Sequence, residues 1–302
     1  MKTTSIYIVV AIMLSASVLS CQHVAKAADI GAQVAGAAGY IDPNTAAAIS
    51  QSSQAIMSAA EDITPEQEYY IGRAVAANIL SGYKIYEGNP AMTAYLNRIC
   101  SSIIINSPRP DIYNGYHVML LDSNEINAFA TPGGHIFVTR GLFSSAKSED
   151  ALAAVIAHEI AHIQLRHSIK AIRTIRITQA LLVTGASAAS AATGSDVNEL
   201  TDIFNESVGE IVTTMVNNGY SQTQEFDADN VALSLLAATG YNPSSLIEML
   251  NELNRIQRSQ PGGFNKTHPT PAQRITNAEK SVGKYKITDT RSYRQARFRA
   301  IR

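Results

Sequence analysis

Tryptophan is absent from the 302-residue chain, and cysteine occurs only at positions 21 and 100. Two cysteines are too few for a scaffold held by several disulfides or for a zinc ribbon. Charged residues make up only 16% of the chain, and its net charge is −1. A nucleic-acid-binding surface needs a clear basic excess, so the composition argues against a nucleic-acid partner.

The N-terminus has the pattern of an export signal. Lys2 precedes an apolar stretch over residues 6–19, which is shorter than the roughly 20 residues of a membrane span. Residues 18–21 resemble a bacterial lipoprotein box, which predicts a signal peptide over 1–20 and a lipid on Cys21. Two alternatives are ordinary cleavage after Ala27, at an A-x-A site, and an uncleaved anchor.

Two further segments differ in composition from the body of the chain. Residues 21–61 are rich in Ala, Gly, Ser and Gln, which predicts a tether with some helix. Residues 284–302 contain seven basic residues and one acidic residue, Asp289. This basic tail is interpreted either as a contact for anionic lipid or an acidic partner, or as a solvated tail. The intervening residues 62–283 are predicted to form one domain.

Most of that domain is predicted to be helical. Thr64 with Gln67 and Ser221 with Gln224 form capping-box patterns, each at the start of a helix. Ser148 followed by two acidic residues predicts another helix start. The remaining helices are predicted over residues 91–104, over residues 197–215, after Pro243 and after Pro271.

Only a short part of the domain has a strand pattern. Residues 116–121 and 135–139 are predicted strands, with a turn at 132–134. We interpret residues 135–139 as a strand that accepts an extended substrate as an added strand, or as part of a plain hairpin. The predicted fold class is therefore α+β, mostly helical with one small β-sheet.

The chemistry is concentrated in the H-E-x-x-H sequence His158-Glu159-Ile160-Ala161-His162. Residues four apart share one face of a helix, so His158 and His162 can hold one zinc ion together. Glu159 projects about 100° around the helix from His158, which places its carboxylate beside the metal. The alternative is a pair of surface histidines, but the flanking residues are apolar and favour a buried helix.

A catalytic zinc ion needs a third protein ligand. Glu225 and Asp229 are four residues apart on the helix that begins after Ser221, so one can bind the metal while the other orients a ligand histidine. Asp227 lies on another face of that helix, and His268 is a further candidate. The alternative for the acidic pair is a solvated face.

Four blocks of sequence resemble the M48 family of zinc metallopeptidases. The H-E-x-x-H motif is followed by Gln-Glu-Phe-Asp-Ala-Asp at 224–229 and by Thr-His-Pro-x-Pro-x-x-Arg-Ile at 267–275. Upstream, residues 127–134 and 139–142 resemble the segment before the family's catalytic helix. Together with the export signal, the chain is most similar to the periplasmic or outer-membrane lipoprotein branch, with a gluzincin-like domain over 62–283.

This resemblance implies a zinc endopeptidase that carries one Zn²⁺ per chain. It implies His158, His162 and Glu225 as ligands and Glu159 as the general base on a zinc-bound water. Asp229 would lie behind the ligands, and His268 would either cover the metal in a latent state or start a helix. Arg274 would contact the site or pair with an acid.

The implied location is the bacterial envelope: the periplasm, with the lipid on Cys21 anchoring the chain to the outer membrane. The implied partners are unfolded or misassembled polypeptides and the machinery that assembles outer-membrane proteins. The alternative function is a latent, protease-like assembly factor, and a further alternative is a helical lipoprotein without metal. His117 and His135 are expected to be locally bonded strand residues, and His167 is expected to point away from the zinc face.

Overall fold

A computed structural model describes residues 21–59, 62–174, 213, 219–257, 267–268, 271–286 and 290–302. The chain divides into two compact units, one over Met1–Ile63 and Ala171–Ser207 and the other over Thr64–Lys170 and Val208–Arg302. The predicted signal peptide over 1–20 lies outside the described residues. So does the predicted helix over 197–215, apart from residue 213.

The described residues of the first unit include the helices α1 (Cys21–Ala37) and α2 (Pro43–Ala59). Small residues let them pack closely, since a Cβ atom added at Gly36 would lie 2.8 Å from the Cβ of Ala46. The Ser50 hydroxyl donates a hydrogen bond to the Asp29 carboxylate across the pair. The expected tether is thus largely helical between residues 21 and 59. No described helix combines the length and the apolar character that a membrane span requires.

The second unit carries the sheet and most of the described helices. These include α3 (Pro65–Gly82), α4 (Pro90–Ile105), α5 (Arg140–Ser145), α6 (Glu149–Gln164), α7 (Gln222–Thr239), α8 (Ser244–Gln257), α9 (Pro271–Val282) and α10 (Arg291–Ile301). Both predicted capping boxes are present, at the starts of α3 and α7. Helix α7 ends at Gly240, whose φ of 86° is a left-handed conformation that glycine adopts without strain.

The sheet has three short strands, β1 (His117–Leu121), β2 (Ala128–Ala130) and β3 (His135–Thr139), in the order β1-β3-β2. β3 pairs parallel with β1 and antiparallel with β2. The turn at 132–134 therefore joins β3 to β2 and not to residues 116–121. The expectation that β3 accepts a substrate strand was wrong, because both of its edges are already paired.

The turn Pro132–Gly134 lies against α3 through two glycines. A Cβ atom at Gly72 would lie 1.6 Å from the Pro132 carbonyl oxygen, and one at Gly133 would lie 2.5 Å from the Cα of Tyr69. Gly133 also has a φ of 72°, which disfavours other residues. These close approaches fix the position of β2 and its turn relative to α3.

The C-terminal segment differs from the solvated tail considered in the sequence. Helix α10 belongs to the second unit, and Phe298 is 2% exposed there. Arg294 is 6% exposed, and its Nε lies 2.9 Å from Asp150 Oδ2 at the start of α6. The α+β fold class, mostly helical with one small sheet, is confirmed. The domain boundaries drawn from the sequence stay predictions.

Candidate metal centre

Helix α6 carries the H-E-x-x-H sequence through the centre of the second unit. The Ser148 side chain caps its start by accepting a hydrogen bond from the backbone N–H of Ala151. Residues Glu149–Ile163 are all buried, as expected for a helix that is apolar on most of its surface. The four-residue spacing places the Nε2 atoms of His158 and His162 3.0 Å apart.

Helix α7 brings Glu225 to the same point from its first turn. Glu225 Oε2 lies 3.4 Å from His158 Nε2, and its Oε1 lies 3.4 Å from His162 Nε2. The side chain is fully buried. The capping box at Ser221 sets where α7 begins, and so sets the turn from which Glu225 projects.

His268 lies in the same cluster. Its Nδ1 is 3.2 Å from His158 Nε2 and 3.0 Å from Glu225 Oε1, and the residue is 1% exposed. The preceding residue is held in place, because the Thr267 hydroxyl donates to Asn127 Oδ1 at 3.2 Å. The backbone N–H of Tyr220 also donates to the Thr267 carbonyl at 3.2 Å. His268 is therefore fixed from two directions.

The donor atoms fit a divalent metal ion. One nitrogen or oxygen from each of His158, His162, Glu225 and His268 lies within 4.8 Å of all the others. A tetrahedral zinc site with bonds of about 2.0–2.1 Å separates its ligand atoms by about 3.3 Å, close to the distances seen here. The two histidine nitrogens that face each other need a cation between them when both present lone pairs. Two imidazoles and a carboxylate form a donor set typical of catalytic zinc.

Behind the donors lie Asp229 and Arg274. Asp229 Oδ1 lies 3.0 Å from His158 Nδ1. The Arg274 guanidinium donates to both Asp229 oxygens, at 2.7 and 2.8 Å, and its Nη1 lies 2.9 Å from Glu225 Oε2. Burial opposes ionisation of Asp229, but Arg274 outweighs it and holds the pKa of Asp229 below its usual value. Arg274 thus both contacts the site and pairs with an acid.

Glu159 is buried beside the cluster in a different environment. Within the part of the chain that the structure describes, neither of its carboxylate oxygens has a hydrogen-bond partner. His268 Nε2 lies 3.5 Å from Glu159 Oε1. Burial raises the pKa of Glu159 above its usual value. A buried carboxylate whose oxygens are not engaged by hydrogen bonds is well suited to accept a proton.

His167 is not among the clustered metal donors, in agreement with the expectation that it points away from the zinc face, but it contacts His162 from the outer side. Its Nδ1 lies 2.9 Å from the Nδ1 of His162. This contact forms because α6 ends at Gln164 and the chain turns at Arg166, which has a φ of 55°. Burial lowers the pKa of His167 to about 4, which leaves this imidazole neutral at neutral pH.

Tyr220 is a second residue that the sequence reasoning missed. Its ring stacks on His162 with the ring centroids 4.1 Å apart and the planes 20° apart. Its position directly before Ser221-Gln-Thr-Gln would not have revealed this contact, although its closeness in sequence to Glu225 was a usable signal. His117 and His135 agree with their expected local roles, since His117 bonds the Asn114 carbonyl and His135 the Thr131 hydroxyl. Asp227 is exposed, as its helix face predicts.

A model of Peptidase family M48 matches residues 90–282, a range that includes all four potential metal donors. The chain belongs to peptidase family M48. This match confirms the family predicted from the sequence. Members of the family are metal-dependent peptidases. The assignments of individual site residues stay predictions.

Several curated relatives are similar to this M48 chain. The beta-barrel assembly-enhancing protease of Yersinia pestis is 26% identical over 71% of the chain and 44% of its own length. The mitochondrial metalloendopeptidase OMA1 of Schizosaccharomyces pombe is 29% identical over 62% of the chain and 52% of its own length. Metalloprotease LoiP of Escherichia coli is 30% identical over 61% of the chain and 69% of its own length. The chain thus spans about half or less of the assembly-enhancing proteases it matches.

Proposed function

We propose that the chain is a zinc-dependent endopeptidase that hydrolyses peptide bonds in unfolded or misassembled proteins of the bacterial envelope. One observation carries this proposal above the others. The buried carboxylate of Glu159, without hydrogen-bond partners among the described residues, lies beside a donor set that suits catalytic zinc. A purely structural zinc site has no use for such a base.

His158, His162 and Glu225 would hold the zinc ion. Bound there, zinc acts as a Lewis acid toward the scissile carbonyl and makes water a stronger acid. Arg274 and Asp229 keep the donors in place, because Arg274 contacts Glu225 and Asp229, and Asp229 orients His158. His162 contacts His167 on its other side.

Glu159 carries the proton transfers in this mechanism. Its carboxylate takes a proton from the attacking water and delivers it to the nitrogen of the leaving amine. Burial raises the pKa of Glu159, which makes its carboxylate a stronger base for the first of these transfers. The apolar surroundings of α6 exclude bulk water from the path of the proton.

The substrate is proposed to lie in extended form along β2, the edge strand next to α6. The Thr131 N–H donates to the His135 carbonyl, and the Thr139 N–H donates to the Asn127 carbonyl. Because alternate residues of an antiparallel strand bond to the same neighbouring strand, the N–H and C=O of Ala130 point away from β3. Ala130, Thr131, His162 and Ile163 line a narrow crevice at this edge. An extended backbone added at this edge would run beside the metal donors, a geometry that would favour unfolded polypeptides as substrates.

The proposed location is the periplasm, with the chain anchored to the outer membrane by a lipid on Cys21. The export signal and the lipoprotein box support this location. The names of several relatives refer to β-barrel assembly, which supports envelope proteins as substrates and assembly machinery as a partner.

Metal removal tests the proposed activity. Incubating the purified protein with a chelator is expected to abolish cleavage of an unfolded protein, because the Lewis acid is lost. Adding one equivalent of Zn²⁺ is expected to restore it, as followed by gel and by metal analysis. Cleavage that persists in metal-free protein would contradict the proposal.

A second candidate function is a latent, protease-like assembly factor. The contacts of His268 favour it, since the imidazole occupies the donor cluster and is held there through Thr267. An imidazole in the remaining position around zinc would keep water and substrate from the metal.

Replacing His268 by Ala separates the two candidates. If the resting state is latent, we expect His268→Ala to raise kcat/KM for an unfolded substrate by about tenfold or more, because a ligand is removed from the open position. His117→Ala, which changes an exposed histidine, serves as the control. Unchanged or lower activity in His268→Ala would argue against latency and leave the endopeptidase proposal standing.

A further inference from the structure

The two histidines of the metal motif are supported in different ways at their outer nitrogens. His158 Nδ1 faces Asp229 Oδ1 at 3.0 Å, and that carboxylate is itself paired with Arg274. His162 Nδ1 faces another imidazole, that of His167, at 2.9 Å. His167 is 2% exposed and comes from the chain just beyond α6.

One hydrogen atom must lie between the two Nδ1 atoms. If His162 presents its Nε2 lone pair to a metal, its Nδ1 carries the hydrogen. His167 must then accept that hydrogen bond with its own Nδ1 and carry a hydrogen on Nε2. A His167 ring with its hydrogen on Nε2 would therefore select, on His162, the tautomer that can bind a metal.

The face of the His162 ring is held by Tyr220. The two rings are stacked 4.1 Å apart, and the Tyr220 hydroxyl hydrogen-bonds the Ser168 hydroxyl at 2.7 Å. Ser168 follows His167 directly, and Tyr220 precedes by five residues the proposed ligand Glu225. The Tyr220–Ser168 bond therefore ties the segment that carries Glu225 to the segment that supports His162.

The charge balance favours a neutral acceptor at position 167. Glu159, Glu225 and Asp229 already place three carboxylates around the donors, with Arg274 paired to two of them. A carboxylate in place of His167 would add a further buried negative charge. A neutral imidazole orients His162 without that cost.

We propose that His167, Ser168 and Tyr220 form a bracket that positions the His162 imidazole for metal binding, with His167 selecting its tautomer. The His162 bracket rests on the proposed metal site but is a separate claim. These are positioning residues, because they touch a ligand and not the metal or the substrate.

The test measures metal affinity by competition with a chromophoric chelator, with Zn²⁺ as the probe and the purified full chain as the protein. His167→Ala is expected to weaken Zn²⁺ binding by about 10–100-fold. His167→Gln is expected to recover most of this loss, because its amide oxygen can accept from His162 Nδ1. Tyr220→Phe keeps the stacked ring and loses only the bond to Ser168, so a loss of about 2–10-fold is expected. His117→Ala is the control and is expected to bind as the wild type does.

A purely structural role would give another pattern. His167→Ala and Tyr220→Phe would then lower the unfolding temperature of the metal-free protein but leave Zn²⁺ affinity within twofold of wild type, which would overturn the bracket. If wild type itself binds no zinc, the proposed function fails instead.

¹⁵N NMR of the wild type tests the His162 bracket without relying on variants, which can fail to fold. In the zinc-loaded protein, the histidine ¹⁵N spectrum is expected to show His162 with hydrogen on Nδ1 and metal on Nε2. A His162 ring bound to zinc through Nδ1 would overturn the bracket whatever the variants do.

Discussion

Replacing Glu159 by Gln is expected to lower kcat/KM for an unfolded protein substrate by about 10²–10⁴-fold, the usual contribution of a general base. The amide matches the carboxylate in size but cannot accept the proton of the attacking water. Glu159 is fully buried, and neither of its oxygens has a hydrogen-bond partner among the described residues, so the substitution leaves no partner unsatisfied. The fold and the metal donors are therefore expected to persist.

Zinc content and activity must be measured on the same samples. Glu159→Gln is expected to retain one zinc per chain, since the proposed donors are other residues. Asp227→Asn is the matched control, because it makes the same chemical change at an exposed position next to the site in sequence. Activity in Glu159→Gln within tenfold of wild type, at equal zinc content, would remove Glu159 from the mechanism.

Replacing Arg294 by Ala is expected to cause a large loss of stability although it lies outside the metal centre. Arg294 and Asp150 form an ion pair in which both side chains are less than 10% exposed. Arg294 also donates to the Gly240 carbonyl at 3.1 Å, at the end of α7. Its removal leaves the Asp150 charge buried without its cation, which costs about 3–5 kcal/mol.

The expected shift in unfolding temperature is about 10 °C downward for a chain of this size. Differential scanning calorimetry of the wild type and Arg294→Ala measures it. Arg299→Ala, which removes an exposed arginine of the same helix, is expected to shift the unfolding temperature by less than about 2 °C. Equal stability of Arg294→Ala and wild type would show that α10 does not hold the start of α6.

Local chemistry explains what the sequence predicted correctly. A capping box needs only residues three positions apart, so Thr64 with Gln67 and Ser221 with Gln224 could be recognised without the fold. The H-E-x-x-H spacing works in the same way, since one helical turn brings His158 to His162.

Contacts between distant segments explain what it missed. β1 pairs directly with β3, although β2 lies between them in the sequence. No turn motif in the sequence predicts this parallel pairing. The burial of Arg294 depends on Asp150, which lies 144 residues away. A count of charges along α10 cannot distinguish this buried arginine from its exposed neighbours.

Departure from regular helix geometry explains why the contact of His167 with His162 was not predicted. Extending α6 past Gln164 in a regular spiral would carry position 167 off the metal face. The left-handed turn at Arg166 instead returns His167 toward His162. The sequence around Arg166 contains no glycine to signal such a turn.

Arg274 has both of the roles that the sequence offered as alternatives. From the sequence it was expected either to contact the site or to pair with an acid. Its guanidinium lies 2.9 Å from the proposed ligand Glu225 and also donates to Asp229. Sequence spacing could not decide between these two roles, because the carboxylates of Glu225 and Asp229 project from the same face of α7.

The most direct test of the metal centre is a crystal structure of the zinc-loaded protein with anomalous diffraction measured on both sides of the zinc edge. We predict a single zinc peak per chain, bound by Nε2 of His158, Nε2 of His162 and a carboxylate oxygen of Glu225. A protein without a zinc peak at this cluster, or a zinc ion that does not touch Glu225, would contradict the account.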